Sequence, residues 1–155
     1  MLAKKYFFII IFCCAIKINM LMILGIGNDL LNIRRIEKIY KKYQKSLNYF
    51  LSVEQIEFIE NNHFSEEKKL NFIAKRFCAK EAVLKAIGIG LGRGIELKDI
   101  SILNNELGKP EVFLNEKAIE IFEKTFNVSS EKINFFLALA DEENFVNAVA
   151  VIILN

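Results

Sequence analysis

The sequence predicts an α+β fold in which a mainly antiparallel sheet packs against one long helix. Three observations carry this. Two apolar runs, Ile133 to Ala140 and Phe145 to Leu154, flank the polar turn Asp141-Glu142-Glu143-Asn144, the pattern of a closing β-hairpin. A helical pattern runs from Ser65 to Ile87, stopped by Gly88. Helices and strands are interspersed along 155 residues that contain one proline, no internal repeat and no Pro/Gly-rich linker, so nothing divides the chain after its first twenty-one residues.

Met22 to Gly27 is a short apolar run ending in glycines and reads as a buried strand, with Asn28 and Asp29 at its exit. From Asn32 to about Tyr43 the period becomes helical. Ile33, Ile36, Ile39, Tyr40 and Tyr43 share one side, and Arg34, Arg35, Lys38, Lys41, Lys42 and Lys45 gather opposite. Ser52 with Gln55 three residues on forms a capping-box pattern for a helix to about Asn61. Ser65, followed by Glu66 and Glu67 in the first turn, opens the long helix. Gly88, Gly90, Gly92 and Gly94 then alternate with larger residues as a flexible stretch. Asp99 to Leu103 and Glu111 to Leu114 read as strands around the Gly108-Lys109-Pro110 turn, and Asn115 caps a helix to about Phe126.

Composition bounds the chemistry. Hydrophobic residues make up 53% of the chain, ample for one core. Lys and Arg number 21 against 19 Asp and Glu, a net charge of +2, so no global charge draws the chain to nucleic acid or membranes. Three cysteines, Cys13, Cys14 and Cys78, lack the spacing of a zinc site or disulfide framework and point to a reducing cytoplasm. The single histidine, His63, sits in a polar turn and reads as a solvated loop residue, which excludes a His-rich metal site.

The first twenty-one residues are a separate problem. Lys4 and Lys5 precede an apolar run from Tyr6 to Ile16 that has the length of a signal-peptide core but is short for a membrane span. No small-x-small cleavage site follows, and Met20 or Met22 resembles a natural start. Residues 1–21 are therefore expected to be a dispensable extension or a mis-assigned start, the domain to span residues 22–155, and stable membrane association to be absent. A signal peptide, or a membrane-anchored structural protein, is the competing expectation.

Candidate chemistry concentrates on two carboxylates. Stepping 100° per residue along the long helix places Leu70, Ile73, Ala74, Phe77, Glu81 and Leu84 on one stripe, so Glu81 interrupts an apolar face. A buried carboxylate must be paired, protonated or bound to a cation. The bland explanation is an i,i+4 ion pair with Lys85. Against it stands Asp29, a second carboxylate at the mouth of an apolar strand; two acidic oxygens with phosphate oxygens and water complete a magnesium octahedron. The glycine tract invites a phosphate-cradle reading but matches no Walker A loop, and Gly25-x-Gly27 lacks the third glycine of a dinucleotide fingerprint, with Leu30 in its place.

The order of these pieces is more specific than any one of them. Ile23-Leu24-Gly25-Ile26-Gly27-Asn28-Asp29-Leu30, Arg35-Ile36-Glu37, Leu51-Ser52-x-Glu54 and Ala74-Lys75-Arg76-Phe77-Cys78-Ala79-Lys80-Glu81-Ala82-Val83-Leu84-Lys85-Ala86 resemble the successive motifs of the holo-acyl-carrier-protein synthases. Gly88-x-Gly90, Asp99-Ile100 and Gly108-Lys109-Pro110 follow in that family's order. The resemblance implies a 4′-phosphopantetheinyl transferase fold and a magnesium enzyme that moves 4′-phosphopantetheine from coenzyme A to a serine of apo-acyl carrier protein, releasing adenosine 3′,5′-bisphosphate. It implies that Asp29 and Glu81 hold Mg2+ and that Lys85 contacts the diphosphate. Lys80 with Gly88, Gly90 and Gly92 is expected to help hold the nucleotide. Arg35, Lys38 and Lys42 are expected to face the acidic carrier, in a homotrimer with sites between subunits. One departure stands out: where the family carries His-x-Ser-x-Ser/Thr-His, this chain has Phe136-Leu137-Ala138-Leu139-Ala140-Asp141. That replacement keeps open a second reading, a catalytically weakened relative acting as a carrier-binding module.

Overall fold

The computed structural model describes residues 21–43, 46–90 and 93–155. The expectations for residues 1–20, Lys45 and Gly92 lie outside them. The chain runs β1 (Met22–Asn32), α1 (Ile33–Lys42), α2 (Val53–Asn61), α3 (Glu66–Ile87), β2 (Ile100–Asn104), β3 (Pro110–Leu114), α4 (Glu116–Phe126), β4 (Ile133–Glu142) and β5 (Phe145–Leu154), with short 3-10 turns between some of them.

The helix boundaries follow from their caps. Asn32 accepts from the Arg34 N–H to open α1, Ser65 from that of Lys68 to open α3, and Asn115 from that of Ala118 to open α4. At α2 the Gln55 side chain accepts from the Ser52 N–H, as the sequence pattern requires. Gly88 ends α3 at φ 80°, a conformation open to glycine without penalty, while the Ile89 N–H returns to the Leu84 carbonyl. His63 lies in an exposed turn at positive φ.

Two antiparallel sheets form, one of order β1-β5-β4 and one pairing β2 with β3. The closing hairpin β4–β5 is the predicted one; β1 then adds to its far side, its pairs 113 to 132 residues apart in sequence. The predicted strand at Met22 to Gly27 continues to Asn32, so Asp29 stands inside β1 opposite Ala148 rather than at a strand exit. The reason is the alternation beyond it: Leu31 points inward, buried, opposite Val146, and keeps the strand in the sheet.

Helix α3 packs across the inner face of β1 and β5. That face is built from Gly25, Gly27, Ala148 and Ala150, and the helix meets it with Ala82 and Ala86. A Cβ at Gly25 would stand 1.9 Å from the Ala86 carbonyl oxygen, and one at Gly27 2.0 Å from that of Ala82. Strand and helix backbones therefore touch, and only glycine permits it. Around this seam Ile73, Leu84, Ile87, Ile100, Ile102, Phe122 and Ile152 are fully buried, each worth about 1.5–3 kcal/mol of transfer free energy.

Candidate active site

Strand alternation decides where Asp29 points. It is two residues beyond Gly27 and four beyond Gly25, so it shares their inward face and meets α3 just past the backbone seam. There the Lys85 ammonium donates to Asp29 Oδ1 and to the Asn28 carbonyl, both at 2.8 Å. The Asp29 carbonyl accepts from Asn147 Nδ2 at 3.0 Å and from the Cys78 thiol at 3.4 Å, which pins the strand at this residue. Cys78 is buried, and that burial, with the Asp29 carboxylate second, pushes its thiol up to about 12.

Glu81 lies one helical turn before Lys85, yet the ion pair forms with Asp29 and not with Glu81. Glu81 Oε1 is buried and has no hydrogen-bond partner. Its carboxyl is held above the ordinary glutamate range by desolvation first and by the negative charge of Asp29 second, with Lys85 and Arg35 acting in the opposite direction. Two carboxylates thus share one electrostatic neighbourhood at the protomer surface, one of them with an orphaned oxygen. That donor set fits a hard divalent cation: the orphaned oxygen gains a ligand bond, and the mutual repulsion is relieved. Among the described residues no cluster of three or more Asp, Glu, His or Cys forms, so a cation held here would have two protein carboxylates and would take its other ligands from water or substrate oxygens.

Other expected site residues fall into place differently. Gly88 and Gly90 are exposed with open space where a Cβ would be, on the stretch that leaves α3 two residues after Ala86. Arg35, Lys38 and Lys42 are exposed on α1, which packs against α3 through its other side. Arg35 is close enough to act on Glu81, and Lys41 is occupied by Glu37 at 2.6 Å.

Lys80 departs from its expectation. It is fully buried, its ammonium donates to the Phe50 carbonyl at 2.9 Å, and burial with the nearby Arg76 charge holds it down at about 7. It points into the core beside α2, where its ammonium braces the Phe50 carbonyl. Adjacent residues on a helix diverge by 100°, which is why Lys80 and Glu81 serve opposite sides.

Sequence reasoning assigned no role to Arg76, which is 7% exposed. Its Nη2 donates to Asn104 Oδ1 at 2.9 Å, its guanidinium stacks over Phe72 at 4.6 Å, its Nε is unpartnered, and desolvation lowers it to about 10. It lines a cavity of about 520 Å3 between α3, β2, the β2–β3 turn and the end of β4. Asp141 also lines it and forms an ion pair with Lys75 at 2.9 Å.

The 4′-phosphopantetheinyl transferase superfamily matches residues 25–144. The chain belongs to this superfamily. It is 39% identical over 132 residues to the holo-[acyl-carrier-protein] synthase of Orientia tsutsugamushi (strain Ikeda), covering 84% of this chain and 97% of that relative. Its fold is similar to the holo-[acyl-carrier-protein] synthase of Neisseria meningitidis, with a TM-score of 0.71 and 33% identity over 84% of this chain and 98% of that one. The Helicobacter pylori holo-[acyl-carrier-protein] synthase solved in complex with coenzyme A is likewise similar, with a TM-score of 0.64 and 29% identity over 82% of this chain and 98% of that one. The α+β architecture expected for a phosphopantetheinyl transferase, with an antiparallel sheet against a long helix, is the architecture observed.

Proposed function

We propose that this transferase moves 4′-phosphopantetheine from coenzyme A to a serine of an apo-acyl carrier protein. The observation that carries the reading is the orphaned Glu81 Oε1 beside the Asp29–Lys85 pair, a two-carboxylate site with a cation already seated against it. Relatives named holo-[acyl-carrier-protein] synthase, one of them bound to coenzyme A, give the substrate class. In the reaction the serine oxygen bonds to the β-phosphorus, the bond from that phosphorus to the bridging oxygen breaks, and adenosine 3′,5′-bisphosphate leaves with the electron pair while the hydroxyl proton is released.

Asp29 and Glu81 would hold Mg2+, which supplies charge neutralisation of the diphosphate when bound. Lys85, exposed and flexible, exchanges Asp29 for a diphosphate oxygen, and its point charge stabilises the developing negative charge. Gly88 and Gly90, exposed and without side chains, let a phosphate approach the backbone beside Lys85, and with Gly92 they form the expected cradle. The basic side of α1, with Arg35, Lys38 and Lys42, faces an acidic carrier, and Arg35 brings that partner to the edge of the Glu81 site.

The assembly is a homotrimer of a single domain, residues 22–155. Its support is the outer face of the three-stranded sheet, which leaves Ile26 at 62%, Leu30 at 65% and Phe136 at 45% exposed in the protomer. Among the described residues no helix is long and apolar enough to cross a membrane, and a cytoplasmic enzyme without nucleic-acid partners is the reading in keeping with the cysteine usage.

The test is mass spectrometry of apo-carrier incubated with the protein, coenzyme A and Mg2+. A gain of one phosphopantetheine group is expected; an unmodified carrier at high coenzyme A overturns the reading. Carrier binding without coenzyme A binding in calorimetry would instead favour a binding module. Light scattering at three times the 17.9 kDa protomer mass checks the trimer.

A further inference from the structure

The cavity of about 520 Å3 beside the middle of α3 holds a buried cation with no counter-ion among the described residues. Arg76 is 7% exposed, has a free Nε, and among the described residues no carboxylate pairs with it. Phe58 and Phe72 stack at 5.6 Å and form an aromatic wall, and Asn104 holds the guanidinium plane from the opposite side. A desolvated guanidinium beside aromatic faces suits a phosphorylated nucleoside. The one acid in the lining, Asp141, is committed elsewhere: its Oδ1 meets Lys75 Nζ at 2.9 Å at the rim, both side chains being partly solvated.

We infer that Asp141 sets the affinity of this cavity for anionic nucleotides by competing with them for Lys75. Lys75 and Arg76 are adjacent and both line the cavity, so an entering phosphate meets two cations only if Lys75 leaves Asp141. Asp141 also cancels one of the two positive charges seen from outside. The sequence departure at Phe136 to Asp141 is then an affinity device: it lowers retention of nucleotide without touching the carboxylate pair at Glu81. This rests on the transferase reading for the identity of the nucleotide, coenzyme A before reaction and adenosine 3′,5′-bisphosphate after it.

Calorimetry of the full chain with adenosine 3′,5′-bisphosphate and with coenzyme A, at low ionic strength, tests it. Asp141→Asn is expected to bind each roughly two- to fivefold tighter, the scale of an exposed ion pair, with a matching fall in the KM for coenzyme A. The gain should shrink at high salt. It should shrink in the Lys75→Met background, where only the direct repulsion between Asp141 and the phosphate is left to relieve; a merely structural role leaves it at full size. Unchanged or weaker binding by Asp141→Asn, a gain of equal size without Lys75, or no nucleotide binding by either protein overturns the inference. The carrier mass shift decides the transferase reading separately: a modified carrier with unaltered Asp141→Asn affinity removes only the present inference.

Discussion

Two sites on α3 solve opposite electrostatic problems. Toward its C-terminus the helix presses Glu81 against Asp29, so like charges crowd and one carboxylate oxygen is left without a partner. Five residues earlier it buries Arg76, a cation without a counter-ion among the described residues, over an aromatic ring. Each arrangement costs folding free energy that a bound partner of opposite sign returns. One helix therefore presents a cation-seeking site and, little more than a turn away, an anion-seeking one. Between them Lys80 is charged yet wholly internal, and marks where chemistry gives way to core.

The sharpest way to break this comparison is to remove the cation-seeking site alone. Asp29→Asn and Glu81→Gln are each expected to lower kcat/KM for carrier modification by about 1000-fold, measured at saturating Mg2+. Glu81→Gln should at the same time raise the melting temperature without metal. Its folded-state carboxyl is raised, so the native protein binds more protons than the unfolded chain between the two pKa values, and stability falls as pH rises through that window. The gain over wild type is thus full above the raised folded-state pKa and absent at strongly acid pH. Added Mg2+ should raise the melting temperature of wild type more than that of the variant.

A second variant moves both carboxylates relative to each other. Gly27→Ala forces a Cβ to 2.0 Å from the Ala82 carbonyl oxygen, so denaturant titration should show a loss of ~3 kcal/mol or more. If it folds, turnover should fall with it. An unchanged midpoint would show that the backbones do not touch.

A smaller effect separates Lys80 from its neighbours. Its folded-state value near 7 lies below the unfolded one, so the unfolded chain binds more protons and stability rises with pH from about 7 towards 10. Cys78, raised to about 12, acts oppositely once the unfolded thiol ionises. The difference between wild type and Lys80→Met across that range isolates the lysine: a rising contribution in wild type that the variant lacks. The smallest effect belongs to the solvated face of α1, where joint Arg35→Ala and Lys38→Ala changes should weaken carrier binding about tenfold at low salt and little at high salt, read by titration calorimetry.

Much of this was legible in the residues. The caps Asn32, Ser52 with Gln55, Ser65, Gly88 and Asn115 act locally, so their side chains announce where helices begin and end. Glu81 was legible because it breaks a helical stripe, and Asp29 because it follows an apolar run. What escaped depends on pairing across long separations. The extension of β1 needs β5 beside it, and the partner of Lys85 is chosen by a strand 56 residues away rather than by helix spacing. The burial of Lys80 follows from the Phe50 carbonyl thirty residues earlier, and the Arg76 cavity from β4 reaching the middle of the helix. The glycines Gly25 and Gly27 read as the end of a strand; their use is clearance.

Clearance of that kind has a further effect on the chemistry. Where two elements meet through side chains, their separation drifts with every exchange of a core hydrophobe. Where main chain rests on main chain, as at Gly25 against Ala86 and Gly27 against Ala82, the separation is a fixed length that no repacking of the surrounding interior alters. The gap between the Asp29 and Glu81 carboxylates is measured off that ruler, so the sequence around the site can diverge widely while the span offered to an ion stays the same.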